Sequence, residues 1–278
     1  MAAELEPAFG RLLREWRSRR RVSQLGLALE AGVSSRHVSF IETGRAQPSR
    51  EMVLMLARVL DVPLRDRNDL LMSAGYAAMY RATDLDAPPL EQARRAIDFM
   101  LRQQEPYPAI AVDRSWTILK ANDGAVRLVE AFADPDAAAE WGGNAMRLMF
   151  HPRGFRPHIV NWEAMAAALI QWLHRDVLSG LGGAETRRLL EELLSYPGVP
   201  PRWRTLDLDA STEPFLAIEF HKGDLELRFF STLTSLGTPH DITLQELRVE
   251  AFFPADPETE EAARRLAVRA DTPWSASD

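Results

Sequence analysis

Apolar residues recur at helical spacing along the first part of the chain. Phe9, Leu12, Leu13 and Trp16 fall at i, i+3, i+4 and i+7, with Arg14, Arg17 and Arg21 on another face. Ser23 is placed to cap a short second helix with Leu25, Ala28 and Leu29 inward, and Gly32 to end it. Ser34 opens a third helix that buries Val38 and Ile41. Gly44 and Pro48 mark a loop. Ser49 caps a fourth helix with Met52, Val53, Leu56 and Leu60 inward, and Pro63 opens a fifth that ends near Gly75. Five short helices with a tight turn between the second and third predict a helix-turn-helix domain.

Past this segment the pattern changes. ATDLDAPPL (82–90) reads as a linker, and Glu91–Gln104 as a helix with Ala93, Ile97 and Leu101 on one face. Ala109–Val112 and Trp116–Leu119 are β-prone runs around Asp113-Arg114-Ser115, a hairpin signal, and Asn122 starts a helix. Asn144–Phe150 predicts a short helix, and Asn161 is placed to cap a longer one with Met165, Leu169 and Leu173 inward. Leu178–Gly183 reads as a Gly-rich loop and Ala184–Tyr196 as another helix. Three strands are expected at Phe215–His221, Leu225–Thr232 and Leu244–Phe253, with a tight turn at His221-Lys222-Gly223-Asp224. Glu246 and Glu250, evenly spaced on the last, would face solvent together. Glu258–Val268 closes the chain as a helix. Two strands, a helical insert and three strands is the order of a PAS-like domain.

The stretch SQLGLALEAGVSSRHVSFIETGRAQPS resembles the Cro/repressor (XRE) family of bacterial DNA-binding domains over residues 9–76. It shares Gln24 opening the second helix, the Ala28…Gly32 turn, and Ile41-Glu42-x-Gly44…Pro48. With Val38 and Ile41 buried, Ser35, Arg36, Ser39 and Phe40 share the opposite face beyond the capping Ser34. The resemblance implies that this face enters the major groove. Arg36 then has the geometry for a bidentate contact to guanine, and Phe40 for contact with a thymine methyl. Gln24, at a helix N-terminus, suits a phosphate. Arg17, Arg21 and Arg45 are candidate backbone contacts, although solvated arginines would look the same. Glu42 reads as structural.

Charge agrees with that division. The net charge of −7 splits into +4 for residues 1–82, with 13 Arg against 9 Asp+Glu, and −11 for the rest. A polyanion-binding end joined to an acidic remainder is the expectation. The absence of cysteine excludes disulfides and thiolate metal sites. The N-terminus lacks an apolar signal region, and no apolar run approaches the ~20 residues of a membrane span. A cytoplasmic protein without membrane association is therefore expected. No Gly-x-Ser-x-Gly elbow, Walker A loop or dinucleotide fingerprint occurs, and the six histidines show no metal-ligand spacing. No catalytic residue, metal or cofactor is predicted.

NAMRLMFHPRGFRPHIVNWEAMAAALIQWLHRDV and LRFFSTLTSLGTPHDITLQELRVEAFFPAD, with the preceding strand–strand–Asn unit, resemble the MmyB-like ligand-binding domain, which occurs behind XRE domains in bacterial regulators. The implied fold is multidomain, α and α+β: a five-helix helix-turn-helix domain (1–82), a linker and helix (83–104), a PAS-like five-stranded antiparallel sheet with covering helices (105–270), and a tail (271–278). The implied ligand is small and apolar, with a long-chain fatty acid as one such molecule.

Phe150, Trp162, Met165 and Leu169 on helices, with Phe215, Ile218, Phe220, Leu227 and Phe229 on strands, are candidate pocket residues; the same stripes also suit a plain core. Trp116 reads as core or pocket wall, and Phe252 and Phe253 as core or dimer contact. Arg147 and His151, with His158 and Arg175, are candidate anchors for a carboxylate head. The sequence thus points to a ligand-responsive transcription regulator that binds a double-stranded DNA operator as a homodimer. Two alternatives stand: a ligand-independent regulator whose PAS-like part only dimerises, and an enzyme with a fused DNA-binding domain.

Overall fold

The computed structural model describes residues 8–179, 183–206, 217–237 and 239–270. They form two compact units. The first takes the chain up to Asp84, with Leu178 and the later segment 239–245; the second takes the remainder.

The first unit contains α1 (Ala8–Arg19), α2 (Gln24–Glu30), α3 (Ser35–Glu42), α4 (Arg50–Val59) and α5 (Leu64–Ser73). Serine hydroxyls cap three of them. Ser23 accepts from Gly26 N at 2.9 Å, Ser34 from His37 N at 3.2 Å, and Ser49 from Met52 N at 3.2 Å. Gly32, at φ +66°, makes the turn between α2 and α3 without the steric cost a side chain would bring. Leu13, Leu27, Val38, Ile41, Val53 and Leu56 lie in one core.

One expected stripe is shifted. On α2, Leu27 and Ala28 are buried, whereas Leu25 and Leu29 are 59% and 73% exposed. These two leucines stand two residues either side of Leu27, roughly 200° around the helix from it. With Leu27 inside, neither can be.

The segment 239–245 completes this unit. Ile242 N donates to Arg81 O at 2.8 Å, and Thr83 Oγ1 donates to Asp241 at 2.6 Å. Gln245 Oε1 accepts from Leu64 N at 2.7 Å. It supplies the acceptor at the start of α5 that Pro63, in the capping position, cannot. The 82–90 stretch is thus fixed by side chains at Thr83, and Leu85 is buried.

The second unit begins with α6 (Glu91–Gln103), β1 (Ala109–Val112), β2 (Ile118–Ala121) and α7 (Asp123–Phe132). There follow α8 (Ala138–Trp141), α9 (Ala145–Phe150), α10 (Trp162–Ser179) and α11 (Gly183–Leu193). β3 (Ile218–Lys222), β4 (Leu225–Ser235), β5 (Arg248–Pro254) and α13 (Pro257–Ala270) complete this unit; α12 (Ile242–Glu246), between β4 and β5 in the chain, belongs to the first unit up to Gln245. The strands form one antiparallel sheet in the order β2-β1-β5-β4-β3. The five-helix unit and the PAS-like sheet with covering helices are as the sequence implies.

Boundaries differ in physically legible ways. The first hairpin has a longer loop than expected. Asp113 Oδ1 accepts from Ser115 N at 2.8 Å and Thr117 N at 2.9 Å, which delays β2 to Ile118. Residues 244–246 are helical, so the last strand starts at Arg248. Asn161 does not cap α10 through its side chain. Its amide donates to Ala217 O at 2.7 Å and its carbonyl accepts from Glu219 N at 3.2 Å, pinning β3. Residues 180–182 of the expected Gly-rich loop, and Phe215, lie outside the described residues; α10 runs on to Ser179 and α11 opens at Gly183, so the helices take up the rest of that stretch. Among the described residues no helix is long and apolar enough to cross a membrane.

Candidate functional sites

The first candidate is the outer face of α3. Ser35 and Arg36 are exposed, and Ser39 and Phe40 are half-buried. The Arg36 guanidinium lies 5.1 Å from the Phe40 ring centroid, and that of Arg45 lies 6.0 Å from it. Phe40 therefore carries two cations over its ring, an arrangement that holds long side chains out from the surface. Among the described residues neither arginine pairs with an acidic side chain. Arg21 is also exposed, in a left-handed backbone position (φ 56°).

Arg17 and Gln24 are placed differently from expectation. Glu42 is fully buried. It accepts from Arg17 Nε at 2.7 Å, Arg17 Nη2 at 3.1 Å and Gln24 Nε2 at 2.7 Å. Burial alone would raise the Glu42 carboxyl; the hydrogen bonds from Arg17 and Gln24 and the charges of Arg17 and Arg14 outweigh it and hold the pKa low. Arg17 and Gln24 thus serve the fold, because a buried carboxylate needs those donors more than a phosphate does. Ser34 is occupied as the α3 cap.

The second candidate is a cleft in the sheet-containing unit, with about 610 Å³ of atom-free space, mouth included. Ile110, Ile118, Ile218 and Phe252 form its sheet side. Leu128 and Val129 of α7, Met146 and Met149 of α9, Leu169 of α10, and Phe155 close the other. Trp116 also lines it, at φ 66°, a conformation that costs a bulky residue about 1–2 kcal/mol. Local contacts hold it there: its carbonyl accepts from Ala145 N at 2.9 Å and its ring meets Trp172 edge-on at 5.3 Å. Asn122 sets the end of α7 beside the cleft. It accepts from Ala109 N at 2.8 Å and Ala125 N at 2.9 Å, and donates to Tyr107 O at 2.8 Å.

Of the expected pocket residues, Leu169 and Ile218 line this cleft. Phe150, Trp162, Met165, Phe220, Leu227 and Phe229 pack instead in the two adjoining cores; Phe150 meets Trp162 edge-on at 5.0 Å. The expected anchors face elsewhere. Arg147 Nε donates to Glu192 at 2.8 Å, a bond that raises the arginine pKa further. His151 Nε2 lies 2.9 Å from Glu140. His158 sits beside Phe132, its pKa lowered by burial and by Lys222, and Arg175 is exposed.

The even spacing of Glu246 and Glu250 predicts that they face solvent together. Glu250 instead lines the cleft, while Glu246 pairs with Arg114 at 3.2 Å. The discriminating signal is register. Glu250 is opposite Ile110, so the two share the helix-covered face. Among the described residues no three His, Asp or Glu side chains gather as a metal site.

Comparison with known proteins agrees with this architecture. Residues 8–70 match a helix-turn-helix domain, and residues 93–266 match the MmyB-like transcription regulator ligand binding domain. No protein of curated function matches the chain. Among solved structures, that of an RNA-binding light-oxygen-voltage receptor aligns at 13% identity over 97% of this chain, with a TM-score of 0.29. The chain spans 64% of that receptor's length, and the likeness is too weak to bear on the fold. The second match covers more than half of the chain, which therefore belongs to the MmyB-like transcription regulators: it joins a helix-turn-helix domain to their ligand-binding domain.

Proposed function

We propose that the protein is a sequence-specific transcription regulator whose DNA affinity responds to a small apolar ligand, and that it has no catalytic role. The reading is carried by one observation: Arg36 and Phe40 on the open face of α3 cluster with Arg45, just after that helix, and neither arginine has an acidic partner among the described residues. In this proposal α3 enters the major groove. Arg36 reads a guanine, Phe40 contacts a thymine methyl, and Arg21 and Arg45 neutralise phosphates. One such helix spans few base pairs, so two copies bind as a homodimer to half-sites about one helical turn apart.

The ligand occupies the cleft and shifts the population of dimer geometries that fit this spacing. The fatty-acid expectation divides here. Its chain suits a wall of isoleucine, leucine and methionine; its carboxylate finds no cation there among the described residues.

Selection of operators from a random DNA library by the full chain tests the reading. Arg36→Ala is expected to weaken the selected site by about 1–3 kcal/mol and to relax preference at one base pair. Recovery of no preferred sequence would refute sequence-specific recognition.

A further inference from the structure

The cleft wall is chemically lopsided. Among the described residues Glu250 is its only ionisable side chain, and no lysine, arginine or histidine lines it. Its position on β5, opposite Ile110 of β1 and Leu233 of β4, leaves no room for a cation from a neighbouring strand at the same level. Glu250 Oε1 accepts from Ser231 Oγ at 2.7 Å, and Oε2 accepts no hydrogen bond among the described residues. The group keeps some accessible surface, part of it opening into the cleft. Enclosure by protein nevertheless pushes its pKa up to about 7, and the Ser231 hydrogen bond only partly opposes this.

We infer that the cleft takes an apolar molecule with a basic nitrogen, whose N–H donates to Glu250, in preference to one with a carboxylate. The inference rests on the ligand-binding reading above. A carboxylate head would bring a second negative group beside an acid that already lacks a counter-charge. The arginine and histidine that could have received it are engaged with Glu192 and Glu140. A hydroxyl would satisfy Oε2 but leave the charge uncompensated. An ammonium does both, and charge-assisted hydrogen bonds are about twice as strong as neutral ones.

Calorimetric titration of the full chain with octylamine, 1-octanol and octanoate at about pH 8 tests this, since Glu250 is ionised there. Octylamine is expected to bind about tenfold or more tighter than octanoate, with octanol between them. Glu250→Gln is expected to remove the preference for the amine while octanol affinity stays within about twofold. Leu128→Trp, which fills the cleft, should abolish binding of all three.

If none of the three binds the wild-type chain, the ligand-binding reading fails and this inference with it. Equal affinities, or tightest binding by octanoate, would overturn the inference alone. So would amine binding that survives in Leu128→Trp. The head-group series on the wild-type chain decides the matter even if Glu250→Gln does not fold.

Discussion

Replacing Glu42 by alanine separates what holds the N-terminal unit together from what it presents to DNA. The Glu42 side chain has no exposed surface and accepts three hydrogen bonds of 2.7–3.1 Å from Arg17 and Gln24. Deleting one member of a buried ion pair costs about 3–5 kcal/mol, because the other is left desolvated and unpaired. Arg17 keeps 16% side-chain exposure and a bond from Nη1 to Val22 O at 3.0 Å. The lower end, about 3 kcal/mol, is therefore expected.

At about 1.4 kcal/mol per tenfold, protected amides of α1 and α3 should exchange about 100-fold faster. Hydrogen exchange on the full chain is the suitable assay, because a chain of two units need not unfold in one step. The folded-state pKa of Glu42 lies below its ordinary value of 4.5. Its stabilisation is thus present above 4.5 and lost as pH falls through the folded value, so wild type and variant converge in acid. Arg36→Ala on the same helix is the counterpart, leaving exchange within about 0.5 kcal/mol of wild type. A change of less than about fivefold in Glu42→Ala would refute the account of Glu42 as the anchor of α1 and α2 on α3.

Three further perturbations follow from the geometry. A Cβ at Gly10 would overlap the Glu42 carbonyl oxygen, so Gly10→Ala must push α1 off α3, at about 1–3 kcal/mol or more; unchanged exchange of α1 amides would contradict that contact. Glu250 has a folded pKa of about 7 against 4.5, so the folded state binds more protons between those values and stability falls as pH rises through them, by about 3 kcal/mol at most. Denaturant melts of Glu250→Gln should lack that decline, and parallel pH profiles for the two proteins would remove it. Gln245→Ala deletes the acceptor at Leu64 N and should cost about 1 kcal/mol at the start of α5, read as faster exchange there; no change would mean that water serves equally well.

Local signals carried most of the fold. The Ser23, Ser34 and Ser49 caps act within one turn, and so does Asn122 on α7, so each was legible in sequence. Errors arose where a side chain answers to a distant partner. Asn161 looks like a cap, but its amide is taken by Ala217, just before β3, and Glu219 within it, 56 and 58 residues on. Gln24 sits where a phosphate contact is expected, yet Glu42 claims it across 18 residues. The cleft was harder still. Large aromatics such as Phe150 and Phe229 fill cores, while the wall also uses small or flexible residues such as Ala125, Ala145 and Met149. Composition points to apolar stripes; it does not tell which stripe is left uncovered.

That distinction bears most on the arginines. Thirteen of them in residues 1–82 make the segment basic, but net charge does not count the cations DNA can meet. Arg17 is committed to Glu42, and Arg20 donates to Leu60 O at 2.9 Å and Asp61 O at 2.6 Å. Arg14 lies 3.6 Å from Glu42. Arg36 on the open face of α3, Arg45 just after that helix and Arg21 in the turn between α1 and α2 are exposed. Each phosphate neutralised contributes about 0.9 to the salt slope of DNA affinity. Arg21→Ala and Arg45→Ala should therefore flatten that slope at little cost in stability, whereas Arg17→Ala should loosen the fold and leave the slope of the remaining folded protein unchanged. Electrostatic attraction and structural cohesion are thus assigned to different arginines of the same short segment.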